Sequence, residues 1–251
     1  MKKSSTKNKP NKTPNPTPKV TNIDQWLEIE TPHKQTALEN ASRHFSETDA
    51  LTVNTLEAIY AQESSFGKNR RNRGIKGAAG DFQLEKETAE RMGLTVTAKN
   101  DERFDVDNAS AASAKYLKTQ DRTFSKSTVL SKDISTIPVE DAVERKNFAI
   151  AAFNAGEGRI AQAQKLAKED GKNPAKWDDV KKYLKPAGAT DSKVKETQEY
   201  VDRVLENEAE FAKKSEADKS VKLGRPRKIK KLPTGGHWIT LDGIHIFIEG
   251  K

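Results

Sequence analysis

One glutamate in this chain stands where a carboxyl group could keep its proton. Glu63 closes the series Leu56, Ile59, Tyr60, Glu63, which recurs at i, i+3, i+4 and i+7 and so shares a helical stripe with residues that should face a core. A carboxylate there, at the end of its helix, is desolvated and close to the negative end of the dipole, and both effects raise its pKa. A proton still held near neutral pH is what donation to a glycosidic oxygen requires. Taken alone, the position also fits a helix-terminal glutamate in a surface salt bridge, the commoner arrangement in so basic a chain. Two further segments carry groups suited to holding sugar. Gly77-Ala78-Ala79-Gly80-Asp81-Phe82-Gln83-Leu84 sets small residues beside a phenyl ring and an amide. Glycine lets backbone approach a ligand, and an amide can bind sugar hydroxyl or acetamido groups; an ordinary turn accounts for the same residues. Ala152-Phe153-Asn154-Ala155-Gly156 either ends an apolar helix in a C-cap or presents Asn154 as a ligand-facing amide.

The elements that must position these groups read as helices. Apolar periodicity predicts helices over Lys34 to Phe45, Asp49 to Glu63, Lys86 to Met92, Val106 to Lys118, Val143 to Asn154, Arg159 to Lys168 and Lys195 to Lys214. Ala111, Ala112 and Ala114 allow close packing, and the last helix carries Tyr200, Val201, Val204 and Leu205 on one face. Ser64 to Gly80 reads as an irregular loop, Asp121 to Pro138 as a long loop with at most a short helix, and Gly171 to Pro186 as a loop with an amphipathic piece around Trp177. Trp177 is a core residue or a sugar-stacking platform, with packing the simpler reading. The core region is therefore expected to be all helical, with loops too long to be mere connectors.

Both ends differ from this core. Residues 1–22 repeat Lys, Pro, Asn and Thr and are expected to be a disordered tail. Residues 23–214 form the expected catalytic-type domain and 215–233 a basic linker; Lys219 to Lys231 holds seven Lys or Arg and no acid. In 234–251, Asp242-Gly243 separates His237-Trp238-Ile239-Thr240-Leu241 from Ile244-His245-Ile246-Phe247-Ile248, a strong hairpin signal. One hairpin is marginal alone, so a partner surface or a second chain is expected for it.

Composition narrows the classes. The 251 residues carry a net charge of +8, with hydrophobic and charged fractions of 33% each, which fits a modest core plus unstructured sequence. The charge draws the protein to polyanions without choosing between nucleic acid, anionic lipid and teichoic acid. With no cysteine, disulfides, thiolate metal sites and a cysteine nucleophile are excluded, and His33, His44, His237 and His245 lack zinc-site spacing. No run reaches transmembrane length, and the basic start, Met1 to Lys9, continues without an apolar stretch, so no ordinary secretory signal is read there.

The order and spacing of the motifs are more specific than any one of them. Together they resemble the soluble lytic transglycosylase family, the SLT domain with a lysozyme-like fold. Gln62-Glu63-Ser64 is similar to its Glu-Ser motif, and Gly77-Ala78-x-Gly80-x-x-Gln83, followed by Thr88-Ala89, to its Gly-Ala-x-Gly-Leu-Met-Gln motif. Ala152-Phe153-Asn154-Ala155-Gly156 resembles Ala-Tyr-Asn-Ala-Gly, and Glu196-Thr197-x-x-Tyr200-Val201 the closing segment. The chain departs at Asp81-Phe82, expected to alter the groove wall and add a charge; at Gly74, where the family often has Ser; and at Phe153, which lacks the tyrosine hydroxyl. Asn69-Arg70-Arg71-Asn72-Arg73 is unusually basic and reads as an anionic-glycan contact or a solvated face.

The resemblance implies one carboxylate rather than the usual glycosidase pair. Glu63 would protonate the oxygen between N-acetylmuramic acid and N-acetylglucosamine. The muramyl acetamido carbonyl would stabilise the cation at C1 as an oxazolinium-like species, and Glu63 would then take the C6 hydroxyl proton as the 1,6-anhydro ring closes. No water is consumed and no cofactor or metal is implied. Gln83, Asn154, Tyr200, Glu196, Phe82, Gly80 and Phe153 are the implied substrate-binding residues, with Asp81 a candidate helper. Tyr200 is otherwise a core aromatic. The implied partner is the peptidoglycan glycan strand. The C-terminal segment is weakly similar to terminal segments of phage virion-associated proteins, so a phage virion, release at lysis or a specialised secretion machine is the expected route to the wall. A lysozyme-type hydrolase using the same glutamate, a glycan-binding structural virion protein and nucleic-acid binding through the basic tails remain alternative readings. Nothing beyond charge favours specific nucleic-acid binding.

Overall fold

A computed structural model describes residues 22–70, 74–222, 236–241 and 244–249. The sequence read as a disordered tail therefore lies almost wholly outside the described residues, as do Arg71 to Arg73 of the basic loop. The fold is mainly helical, with a small C-terminal hairpin.

In chain order come α1 (Asn22–Ile29), α2 (Pro32–Ser42), α3 (Val53–Ser64), α4 (Lys86–Arg91), a 3-10 turn (Glu102–Phe104) and α5 (Val106–Phe124). A short hairpin follows, β1 (Val129–Ser131) and β2 (Ile134–Ser135), then α6 (Ala142–Ala155), α7 (Glu157–Glu169), α8 (Trp177–Val180), a second 3-10 turn (Lys181–Tyr183) and α9 (Asp191–Lys222). The chain divides into two compact units, one ending at Phe211 and the other beginning at Ala212. The second holds β3 (Gly236–Leu241) and β4 (Ile244–Glu249), antiparallel with Leu241 opposite Ile244. The Asp-Gly pair expected at their turn lies outside the described residues.

α5 is the central helix of the first unit and packs against α2, α3, α4 and α6. Ala109, Ala112 and Ala114 are at most 1% exposed, so the approach of neighbouring helices is limited by methyl groups rather than long side chains. The helices start where side chains satisfy their first amides. Thr52 and Thr55 form a reciprocal capping box on α3, and Asp105 and Asp141 accept from the third helical amides of α5 and α6 at 2.9 and 2.8 Å. The α3 cap is tied to α9 and α6: Thr55 Oγ1 donates to Glu208 Oε1 at 2.6 Å, and Lys146 Nζ meets Glu208 Oε2 at 2.8 Å.

Three sequence expectations are corrected here. α5 continues past Lys118 to Phe124, because Phe124 is fully buried and Asp121 is paired with Arg145 at 2.7 Å. The core region is not all helical, since β1 and β2 occupy part of the expected long loop, with the Thr136 hydroxyl holding its neck through the carbonyls of Thr123 and Lys126. α9 runs on to Lys222, into the stretch read as linker, before the helix-breaking Gly224 and Pro226. Trp177 is 3% exposed and packs edge-on against Phe148, as a core residue does.

One feature of α3 makes stability pH-dependent. Glu57 and Glu30 are neighbouring carboxyls withdrawn from water, and burial is the main cause that raises both. Burial, then the charge of Glu30, pushes Glu57 up to about 8 from an ordinary value of 4.5. A raised carboxyl pKa means the folded state binds more protons than the unfolded chain across this window. The contribution of Glu57 to stability is therefore full below about pH 4.5 and is lost as pH rises through about 8. We predict that the thermal midpoint of the wild type falls over that range by more than that of Glu57→Gln. Parallel profiles for the two proteins would contradict it.

Candidate active site

A cleft of about 890 Å³ crosses the first unit. The end of α3 contributes Gln62 and Glu63, and the segment before α4 contributes Ala78, Gln83 and Glu85, with Thr88 and Arg91 from α4 itself. The junction of α6 and α7 contributes Phe153, Asn154, Glu157 and Arg159, α5 contributes Tyr116, and α9 contributes Lys193, Glu196, Tyr200 and Arg203. Six residues singled out in the sequence thus share one cleft: Glu63, Gln83, Phe153, Asn154, Glu196 and Tyr200. Gly80 and Phe82 do not line it.

Glu63 is half-buried on the last turn of α3. Its Oε1 accepts a 2.7 Å hydrogen bond from the Tyr200 hydroxyl, across 137 residues of sequence. The Tyr200 ring is 4% exposed, so it is at once a core aromatic and a cleft residue. Burial and then the Glu63 charge raise its pKa well above 10, so it stays a donor. Asn154 is held in one orientation: the Thr197 hydroxyl donates to its Oδ1 at 2.9 Å, and its Nδ2 donates to Glu196 Oε1 at 3.1 Å. Lys193 Nζ meets the same Glu196 oxygen at 2.7 Å. An amide offers two N–H donors, so Asn154 keeps one for a ligand. Gln83 donates to the carbonyl of Gly80 at 2.8 Å, which folds its amide back over its own loop.

That loop is built around Arg103, 1% exposed. Its Nη1 donates to the carbonyls of Gly77 and Leu84 at 2.6 and 3.0 Å, and its Nη2 to Ile75 at 3.2 Å. Nε and Nη2 also grip Asp101, at 2.9 and 2.7 Å. Guanidinium geometry matches this set of acceptors donor for donor. Gly80 follows from the same contact: at φ +79 it lies against the Arg103 backbone, and a Cβ there would fall 1.9 Å from the Arg103 carbonyl oxygen.

The tight turn at Gly80 corrects the expected groove wall. Asp81 N–H bonds the Arg103 carbonyl at 3.1 Å, and the side chains of Asp81 and Phe82 enter the interior, 0% and 1% exposed. Phe82 stacks on Tyr60 with centroids 4.9 Å apart, and the Asp81 carboxylate meets Tyr60 and Arg70. Asp81 therefore adds no charge to the cleft, and it is no helper carboxylate there. Gly74 is exposed and outside the lining. Phe153 does line the cleft, with the ring of Tyr116 packed 5.3 Å from its own, centroid to centroid.

Sequence reasoning missed Tyr116, Arg91, Glu157 and Arg159. The Tyr116 hydroxyl and Gln120 Nε2 both donate to Glu157 Oε2, at 3.4 and 3.2 Å, and Arg91 meets Glu157 Oε1 at 3.4 Å. Glu157 and Arg159 directly follow the Asn-Ala-Gly step and could have been found there; Tyr116 sits inside an alanine-rich helix with no local signal.

Residues 41–176, a little over half of the chain, match the family model described as the transglycosylase SLT domain, and the chain belongs to that family. It is 34% identical over 129 residues to the membrane-bound lytic murein transglycosylase F of Shewanella loihica, covering 51% of this chain and 23% of that protein. The protein of the same name from Pseudomonas fluorescens is 32% identical over 155 residues, 61% of this chain and 28% of its own. The chain thus spans about a quarter of the length of these curated relatives.

The buried guanidinium generates a test. Removing one partner of a buried charged set costs about 3–5 kcal/mol. We predict a loss of that order for Arg103→Ala by chemical denaturation. Arg103→Lys should also be clearly destabilised, because an ammonium has three donors where three carbonyls and two Asp101 oxygens take five. Wild-type stability in Arg103→Lys would contradict the assignment.

Proposed function

We propose that the protein is a peptidoglycan lytic transglycosylase in which Glu63 is the single acid and then base. The observation that carries this reading is Glu63 itself: a half-buried carboxylate in a long cleft, oriented by the Tyr200 hydroxyl at 2.7 Å, in a chain of the SLT family. The substrate class rests on that family and on relatives named for murein. Glu63 donates its proton to the glycosidic oxygen between N-acetylmuramic acid and N-acetylglucosamine. As the bond breaks, the muramyl acetamido oxygen shares the positive charge at C1. Glu63 then removes the C6 hydroxyl proton, and that oxygen closes the 1,6-anhydro ring. The Tyr200 donor stabilises the Glu63 carboxylate once the proton has left.

Gln83 and the remaining Asn154 donor hold sugar hydroxyl or acetamido groups, Phe153 offers an apolar face to a sugar ring, and Glu196 with Thr197 keeps Asn154 in register. Gly80 and Phe82 support this site from within and do not touch substrate. The inward turn of Asp81 favours the one-carboxylate mechanism over a carboxylate pair in which Asp81 takes part. Delivery to the wall by a phage virion or a secretion machine, with the hairpin β3–β4 as its docking element, is part of the proposal and rests on the sequence likeness of that segment.

The test is Glu63→Gln in the full chain. We expect clearing of purified peptidoglycan to fall by about 10²–10⁴-fold, the usual range for a lost acid/base group. The thermal midpoint should stay near that of the wild type. Undiminished clearing by the folded variant would remove Glu63 from the chemistry.

A further inference from the structure

Asp81 stands where the resembled motif has leucine, and the structure gives that difference a purpose. Among the described residues three non-glycine residues sit at positive φ: Ser65 at 50°, Phe66 at 54° and Gln83 at 48°. Each such conformation is strained for a residue with a Cβ and persists only where its surroundings over-determine it. Two of them turn the chain directly after Glu63 and Ser64, and the third is Gln83. The strain thus lies on both sides of the carboxylate–amide pair that faces the cleft.

Asp81 is the residue that ties these two turns together. Its Oδ1 accepts from the Tyr60 hydroxyl of α3 at 2.7 Å and from Nε of Arg70, beyond the first turn, at 3.0 Å. Its carbonyl accepts from Ser64 Oγ at 2.6 Å, and Ser64 Oγ in turn accepts from the Gly67 amide at 3.0 Å. The first turn packs directly on the carboxylate: Gly67, at φ +80, has no room for a Cβ, which would lie 2.7 Å from Asp81 Oδ1. Lys34 Nζ secures the strained Phe66 by donating to its carbonyl at 2.5 Å. Burying one carboxylate of an ion pair whose arginine is exposed is a weak device for stability, and an apolar side chain of similar size often does as well or better. Asp81 Oδ2 is moreover buried with no hydrogen-bond partner among the described residues. What the carboxylate supplies, and leucine does not, is a directional tie from the Gln83 loop to the turn after Glu63.

We propose that Asp81, with Arg70, is a positioning residue that sets the Glu63 carboxylate against Gln83. The inference rests on Glu63 being the acid/base group. It is tested in the full chain with Asp81→Leu, Asp81→Asn, Arg70→Ala and Arg70→Lys, by denaturation midpoint, by kcat and KM on soluble glycan strands, and by carbon-13 NMR titration of the Glu63 carboxyl. Folded Asp81→Leu should lose about tenfold or more in kcat, as small misplacements of reacting groups do, with a much smaller change in KM. Arg70→Ala should follow it, and Arg70→Lys should recover part of the loss. The Glu63 titration midpoint should move in Asp81→Asn, a readout that needs neither turnover nor the leucine variant to fold. Wild-type kcat in both Asp81 variants, or an unmoved Glu63 titration, would overturn the proposal. Full activity in Glu63→Gln would instead sink the underlying reading, whatever the Asp81 variants do.

Discussion

A guanidinium with no access to water holds one wall of the cleft. Arg103 has its five N–H donors matched to three backbone carbonyls and the Asp101 carboxylate, and the carbonyls belong to the segment from Ile75 to Leu84. An irregular segment has few backbone partners of its own, and unpaired carbonyls next to a core are costly. Arg103 meets that demand from a single point, and the loop closes around it. The sharp turn at Gly80, the inward path of Asp81 and Phe82, and the exposure of Gln83 to the cleft all follow from that closure.

The opposite wall is built on different terms. α6 and α7 meet at Gly156, whose amide closes the last turn of α6 on the Ala152 carbonyl at 2.8 Å. Asn154 just before it is fixed by Thr197 and Glu196 of α9. Tyr200, one turn further along α9, reaches Glu63. α9 therefore joins the two sides: its apolar stripe, Val201, Val204 and Phe211, packs into the core, while Glu196 and Tyr200 reach the cleft. The cleft lies where helix ends and two strained turns converge.

The helices were legible because burial imposes a period that the chain must show; their starts were less so, since α3 begins at Val53 behind the Thr52 cap rather than at Asp49. Glu63, Asn154 and Tyr200 stood out because they recur at set places in four ordered motifs. What was not legible depends on partners distant in sequence. Arg103 looks like any surface arginine until its carbonyl partners are known. Asp81 and Phe82 lie between Ala78 and Gln83, which do line the cleft, and the left-handed turn at Gly80 sends them inward. The last turn of α5 has a polar sequence whose burial depends on the Arg145 partner of Asp121. Tyr116 reaches the site from a helix whose other residues serve packing.

The central claim is that a single carboxylate, working without water, breaks the glycan strand. Mass analysis of the fragments released from purified peptidoglycan in heavy-oxygen water tests it most directly. The account predicts muropeptides with 1,6-anhydro ends, each lighter by one water than the corresponding reducing product and free of the heavy label. Reducing ends that carry the label would mean that water attacks C1, and would contradict it.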